Sequence, residues 1–202
     1  IMVNDLDNII DIGCGQGYFL ENLMVNKKTA FGIDLSVEQI KACEERNLNA
    51  KVIDLADVKE KFDCATAIFD VLNYIPKEDL KTFLTQVNIV LNQGAYFIFD
   101  VNSLFGFEEV AQGCITIDLE DKFISIDANF ENNKLQTDIT LFTKENGGLF
   151  SKESDSIIQE YHTKEFLRKL LKECNFEIQE IKEFNLHTDE HADKLIFICK
   201  KK

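Results

Sequence analysis

Three glycines at alternate positions form the stretch of this sequence that is best suited to hold a ligand. Gly13, Gly15 and Gly17 follow a short, mostly apolar run, Asn8 to Ile12, and precede a run from Tyr18 that is apolar at helical spacing. Glycine lacks a Cβ and accepts positive φ, so such a loop turns sharply and brings its backbone against a ligand. A strand, a glycine loop and a helix N-terminus in this order favour nucleotide binding.

The spacing of the glycines separates two kinds of nucleotide site. A dinucleotide-binding loop reads GxGxxG, and its third glycine lets helix and strand pack closely. Here that position holds Tyr18, and the third glycine comes one residue earlier. The string DIGCGQG, residues 11–17, instead resembles the acidic-x-GxGxG motif of class I S-adenosylmethionine (SAM)-dependent methyltransferases.

The elements that follow the loop supply carboxylates at regular places. Three further short apolar runs end in an acidic residue, at Asp34, Asp54 and Asp70, and a fifth run, AYFIFDV, occupies residues 95–101. Helical patterns alternate with these runs, which predicts βαβ units and a mostly parallel sheet. Ligands of such sheets bind at the carboxyl ends of the strands, so the aspartates are expected to lie together there.

The pattern changes in the second half of the chain. Between Cys114 and Ile158, polar and apolar residues alternate without a helical period, which indicates antiparallel strands. A helical run over 163–174 and two more strands complete the sequence. We therefore predict an α/β fold in which residues 1–202 form a single domain and residues 113–160 an inserted antiparallel sheet.

The resemblance to class I methyltransferases extends from Asp5 to the end of the chain. The segments FDCATAIFDVLNYI (62–75) and FIFDVNS (97–103) are similar to a small-molecule subgroup, which includes glycine-type and sugar-amine N-methyltransferases. The resemblance implies a Rossmann-like, mostly parallel seven-stranded sheet whose last strand is antiparallel, with a small antiparallel β lid inserted after strand five. Relatives also carry an N-terminal helical region, which this chain is expected to lack.

The same resemblance implies SAM as the cofactor and assigns its contacts. Asp11 would help to hold the amino acid end, Asp34 would accept both ribose hydroxyls, Asp54 would accept from the adenine amine, and the Phe69 carbonyl would take the ammonium. The full set of implied cofactor residues is Asp11, Gly13, Gly15, Gly17, Asp34, Leu35, Asp54, Leu55 and Phe69.

The implied activity is the in-line transfer of a methyl group from SAM to a small-molecule acceptor, an amine or a similar nucleophile. Two alternatives stay open: a non-catalytic SAM-binding sensor or partner subunit and, less favoured, an NAD-type Rossmann oxidoreductase. The residues expected to bind the acceptor are Asp70, Asn73, Tyr74 and Asn102.

The sequence identifies no catalytic residue with certainty, since a base is needed only if the acceptor arrives protonated. His162, Asp70 and Tyr74 are the candidates. Asn73 and Tyr74 fit equally well as residues that shape a loop, and His162 fits as a histidine at a helix entrance. His187 and His191 lie in an acidic loop, and we predict no metal site.

The net charge limits the classes of binding partner, and the spacing of the cysteines bears on the cellular location. The formal net charge is −14, and no basic cluster interrupts the acidity before Lys200–Lys202, so nucleic acid and anionic membranes are poor partners. A neutral or cationic acceptor suits this charge better. The six cysteines form no CxxC pair, which favours reduced thiols in the cytoplasm. The sequence does not indicate an oligomeric state.

Overall fold

A computed structural model describes residues 6–145, 147–186 and 191–202, and eleven strands and four α-helices lie within these ranges. The strands are β1 (Ile9–Ile12), β2 (Ala30–Asp34), β3 (Ala50–Val52), β4 (Phe62–Ala67), β5 (Leu91–Asn102), β6 (Gly113–Asp118), β7 (Lys122–Glu131), β8 (Lys134–Lys144), β9 (Phe150–Glu160), β10 (Phe176–Phe184) and β11 (Lys194–Lys201). The helices are α1 (Tyr18–Val25), α2 (Val37–Glu45), α3 (Leu80–Val90) and α4 (Lys164–Glu173).

Seven of the strands form one sheet in the order β10-β11-β5-β4-β1-β2-β3. Strands β1 to β5 run parallel to their neighbours within that group, and β11 runs antiparallel to both β5 and β10. This topology confirms the predicted Rossmann-like sheet with an antiparallel last strand. It also brings the carboxyl ends of β1, β2, β3, β4 and β5 to one edge.

The centre of the sheet is buried on both faces. All four residues of β1 are buried, which is why this strand reads as a nearly continuous apolar run rather than an alternating one. Phenylalanines fill the layer beside β5 and β11: the rings of Phe97 and Phe99 stack at 4.8 Å, and those of Phe99 and Phe197 at 4.9 Å. This packing fixes the strands whose ends carry the polar residues described below.

Two helices begin at side-chain caps that the sequence contains. Ser36 Oγ accepts a hydrogen bond from the Gln39 backbone N–H at 3.3 Å, at the start of α2. Thr163 Oγ1 accepts from the Phe166 N–H at 3.1 Å, at the start of α4. Each cap satisfies a backbone donor that the first helical turn leaves free.

A second sheet, in the order β6-β7-β8-β9, is antiparallel throughout and lies between β5 and α4 in the chain. It packs on the main fold through Phe107, whose ring stacks on that of Phe130 at 5.1 Å. One buried side chain, Asn73, joins the end of β5 to the end of β9: the amide oxygen accepts from the Asn102 N–H at 3.0 Å, and the amide nitrogen donates to the Glu160 carbonyl at 2.8 Å. The predicted separate antiparallel sheet is therefore present.

Candidate functional site

A cavity of about 920 Å³ opens at the carboxyl edge of β1 to β4. Its volume is in the range of small-molecule and cofactor sites. All of the predicted cofactor residues except Gly17 line it: Asp11, Gly13, Gly15, Asp34, Leu35, Asp54, Leu55 and Phe69. The sheet topology thus gathers residues from four different strand ends around one space.

The glycine loop is tied to the end of β2 by one carboxylate. Asp34 Oδ2 accepts from the Gly15 N–H at 2.9 Å, and Asp34 Oδ1 accepts from the Ser36 N–H at 2.9 Å. Gly15 has φ of +52°, and a Cβ placed on it would meet no atom within 4 Å. Its α-carbon therefore faces open space, and a ligand can approach this backbone directly.

Gly17 packs against the protein interior. It does not line the cavity; its φ is +79°, and an added Cβ would lie 2.5 Å from Leu48 Cδ1 and 2.9 Å from Cys43 Sγ. Because Gly17 has no side chain, the loop can pack directly against Cys43 of α2 and against Leu48, which follows α2. The structure places Gly17 outside the cavity wall as a packing residue.

We expect Gly17→Ala to lower the free energy of unfolding by about 1–3 kcal/mol, because the new methyl group is overpacked and the backbone is strained. Thermal unfolding measures the change. Gly147→Ala is the control, since Gly147 also has positive φ, +90°, but has open space around it. Equal losses of stability in the two variants would show that φ alone, not the contact with Leu48 and Cys43, constrains Gly17.

Asp11 is a buried carboxyl group at the cavity wall. Its side chain is 2% exposed and accepts a hydrogen bond from Thr66 Oγ1 at 2.7 Å. Burial raises the pKa of Asp11 to about 7, and the charge of Asp34 adds to this rise. A cation bound in the cavity would favour the ionised form of Asp11.

Acceptor groups also converge at the end of β3. Asp54 Oδ1 accepts from the Ala56 N–H at 2.8 Å, which caps a short 3₁₀ turn over Leu55–Asp57. Gln39, which sequence reasoning missed as a site residue, lines the same cavity, and its buried Oε1 has no hydrogen-bond partner among the described residues. A buried acceptor without a partner is costly, so this oxygen suits a ligand that brings a donor.

The mouth of the cavity is aromatic. Tyr18, Phe69 and Tyr74 line it, and each is more than half exposed. Arg46, also missed by sequence reasoning, supports this rim: its guanidinium lies 4.7 Å from the centre of the Tyr18 ring, and its Nη1 donates to the Gln16 carbonyl at 2.6 Å. Nothing in the local sequence distinguishes Arg46, because its partners come from a different element.

Of the predicted acceptor-binding residues, only Tyr74 lines the cavity. Asn73 is fully buried outside the cavity wall, and its amide bonds to the Asn102 N–H and the Glu160 carbonyl. Asn102 takes part through its backbone N–H and is not a wall residue. In the structure its short polar side chain joins the two sheets, and acceptor contacts from Asn73 stay a prediction.

Asp70 and His162 also lie outside the cavity wall. Asp70 forms an ion pair with Lys194. His162 is 2% exposed, its Nε2 donates to the Leu72 carbonyl at 3.1 Å, and burial lowers its pKa. In this geometry His162 holds the loop after β4, and its role as a base stays a prediction.

The charges around the cavity have one sign. Asp11, Asp34, Asp54 and Asp79 line it, and no lysine, arginine or histidine of the described ranges does. Within the same ranges, no group of three histidine, cysteine, aspartate or glutamate side chains is arranged to hold a metal ion. His187 lies outside the described residues, and His191 packs edge-on against Phe105.

No helix in the described part of the chain has the length and apolar character that crossing a membrane requires.

Known structures share this fold. A crystal structure of a SAM-dependent methyltransferase from Clostridium acetobutylicum matches with a TM-score of 0.81 and 25% identity, over 99% of this chain and 87% of the other. A sugar N-methyltransferase from Streptoalloteichus sp. matches with a TM-score of 0.78 and 14% identity, over 98% and 81% of the two chains. Together with the site, these likenesses support a SAM-dependent methyltransferase with the class I fold.

The family comparison is more particular. Residues 9–94, which contain the glycine loop and all the residues that line the cavity, match the family described as methyltransferase domain. A candidate methyltransferase from Geobacillus sp. (strain WCH70) is 22% identical over 96% of this chain and 84% of its own length. These likenesses give no support to the oxidoreductase alternative.

Proposed function

We propose that the protein transfers the methyl group of SAM to a nucleophilic atom of a small molecule, an amine or a similar group. The observation that carries this proposal is the junction of Gly15 and Asp34, where an open backbone and a carboxylate face the same cavity. That junction provides close approach and hydrogen-bond acceptors at one place, which an adenosyl group requires.

The acceptors and donors of the cavity fit the parts of SAM. Asp34 would accept from the ribose hydroxyls, while Asp54 and the unpartnered Gln39 Oε1 would accept from hydroxyl or amine donors of the adenosine. Asp11 and the Phe69 carbonyl would hold the ammonium. Leu35, exposed in the structure, would cover the adenine ring, with Leu55 beneath it.

SAM supplies an electrophilic methyl group on a positively charged sulfur, and the transfer removes that charge. The protein therefore has no large negative charge to stabilise; it has to align the acceptor and keep water away. We assign this work to two residues of the aromatic rim, Phe69 and Tyr74, which line the cavity.

We propose an amine acceptor on two grounds. The cavity presents carboxylates and no cationic side chain from the described residues, so an anionic acceptor would be repelled. The fold is also that of the sugar N-methyltransferase named above, which makes amine methylation a compatible chemistry. Nucleic acid and membrane surfaces are not expected as partners of a chain with net charge −14.

We also propose that the second sheet, residues 113–160, acts as a lid on the acceptor side of one domain. No described residue of this sheet lines the cavity, so closure would have to bring it nearer. Its attachment through Asn73 to the segment that carries Tyr74 supports the proposal. Six free cysteines support a cytoplasmic location.

Calorimetric titration with SAM, S-adenosylhomocysteine and NAD tests the cofactor, and methyl transfer to pooled amines, including amino sugars, tests the reaction. We expect binding of SAM and of its demethylated product, no binding of NAD, and turnover with an amine pool. Binding without turnover of any pool would favour the sensor alternative. NAD binding in place of SAM would overturn the proposal.

A further inference from the structure

The segment that leaves β4 has an unusual backbone. Phe69 and Asp70 are consecutive non-glycine residues with φ of +67° and +65°. The backbone of non-glycine residues rarely adopts this left-handed conformation, and a bulky residue such as phenylalanine does so only where its surroundings hold it. Packing does not hold Phe69, since its side chain is 66% exposed. Polar contacts must therefore fix the segment.

Those contacts come from β5 and β11. Asp100 Oδ1 accepts from the Phe69 N–H at 2.7 Å, and Asp100 Oδ2 accepts from Lys194 Nζ at 3.1 Å. The same ammonium forms an ion pair with Asp70. The side chains of Lys194 and Asp100 are only 11% and 7% exposed, so water does not replace these bonds readily.

One lysine thus holds two neighbouring carboxylates together. Burial raises the pKa of Asp70 and Asp100 adds to the rise, whereas Lys194 opposes it. Burial alone would lower the pKa of Lys194, but the two carboxylates outweigh it and raise that pKa. Without the ammonium, the carboxylates would repel each other, and Asp100 could no longer be kept in place to receive the Phe69 N–H.

The fixed segment is part of the cofactor cavity. Phe69 and Val71 line it, and Val71 packs on the glycine loop so closely that a Cβ on Gly13 would lie 2.9 Å from Val71 Cγ2. We propose that Lys194 is a positioning residue of the SAM site, acting through Asp100 and Asp70 on the Phe69–Val71 wall. This inference rests on the proposed function for its link to SAM.

The test compares Lys194→Met and Lys194→Arg with a matched control on the same strand. Lys201, near the other end of β11, is also partly buried and donates to the Leu91 carbonyl at 2.9 Å, far from the cavity wall. Calorimetry gives the Kd for SAM, and thermal unfolding gives Tm. We expect Lys194→Met to raise the Kd about tenfold or more, with Lys194→Arg close to wild type.

Lys201→Met is expected to lower Tm while changing the Kd by less than about twofold. If Lys194→Met keeps the wild-type Kd, or if both methionine variants lose the same affinity, Lys194 has no special part in the site and the inference is overturned.

Hydrogen–deuterium exchange keeps this test separate from that of the proposed function. In the absence of SAM, the amides of residues 69–75 should exchange faster in Lys194→Met than in wild type or Lys201→Met. That result, in a protein that binds no SAM, would refute the proposed function and retain the positioning role. Unchanged exchange in this segment would refute the positioning role itself.

Discussion

Asp34→Asn is expected to raise the Kd for SAM by about 10- to 100-fold in a protein that stays folded, which corresponds to about 1.5–3 kcal/mol of binding free energy. The carboxylate of Asp34 uses both oxygens, one for the Gly15 N–H and one for the Ser36 N–H. Asparagine has a single amide oxygen, so one of these backbone donors would face an NH₂ group instead.

Two losses add up in this variant. The ribose hydroxyls would lose a charged acceptor, and the glycine loop would lose the bond that sets Gly15 against the cavity. Calorimetric titration with SAM measures the combined effect. Asp57→Asn is the matched control, since Asp57 is exposed on the neighbouring 3₁₀ turn and does not line the cavity. An Asp34 variant that binds SAM as the control does would place the cofactor elsewhere.

Asp11→Asn is expected to change stability and SAM binding in opposite directions at pH 8. The pKa of Asp11 rises from 3.8 to about 7 on folding, chiefly through burial. Between these values the folded protein holds a proton that the unfolded chain has lost, so the free energy of unfolding falls as pH rises through this window. At pH 8 the full penalty, about 4 kcal/mol at most, applies to the wild type.

Asparagine removes this penalty and can still accept the Thr66 hydrogen bond through its amide oxygen. Thermal unfolding should therefore show a higher Tm for Asp11→Asn than for wild type at pH 8, and a much smaller difference at pH 4. A gain that is equal at both pH values would mean that Asp11 stays ionised, or stays protonated, throughout.

The same charge makes wild-type binding depend on pH. SAM carries cationic groups, so its affinity should fall as pH drops through about 7 and Asp11 takes up a proton. Asp11→Asn should bind SAM more weakly at pH 8 and lose this dependence. Titrations at pH 6 and pH 8 compare the two proteins. A wild-type Kd that does not change between these pH values would show that the ionisation of Asp11 does not affect SAM binding.

Sequence reasoning succeeded where the backbone alone sets the outcome. The apolar runs of β1, β2 and β4 form strands, and parallel pairing brings their ends, with Asp11, Asp34 and Phe69, to one cavity. The alternation of polar and apolar residues also predicted the strands of the second sheet, because successive side chains of a strand point to opposite faces. These features need no knowledge of distant contacts.

Sequence reasoning could not foresee features that depend on the direction of a side chain or on a partner far away in the chain. Asn73 and Gly17 sit beside the cavity in sequence, yet the 3₁₀ turn over Val71–Tyr74 and the turn into α1 point them into packed contacts. Lys194 reaches Asp70 across 124 positions of the chain, and no local pattern marks such a pair. The rim support from Arg46 was missed for the same reason.

The double attachment at Asn73 bears on how such proteins diversify. The segment from Asn102 to Glu160 is attached at both of its ends to the amide of Asn73, through one backbone atom at each end. Exposed residues between these two points, unlike the buried Phe107, can then be substituted while the two backbone atoms keep their spacing. The strand ends that line the cavity can stay unchanged while the sequence of the second sheet varies.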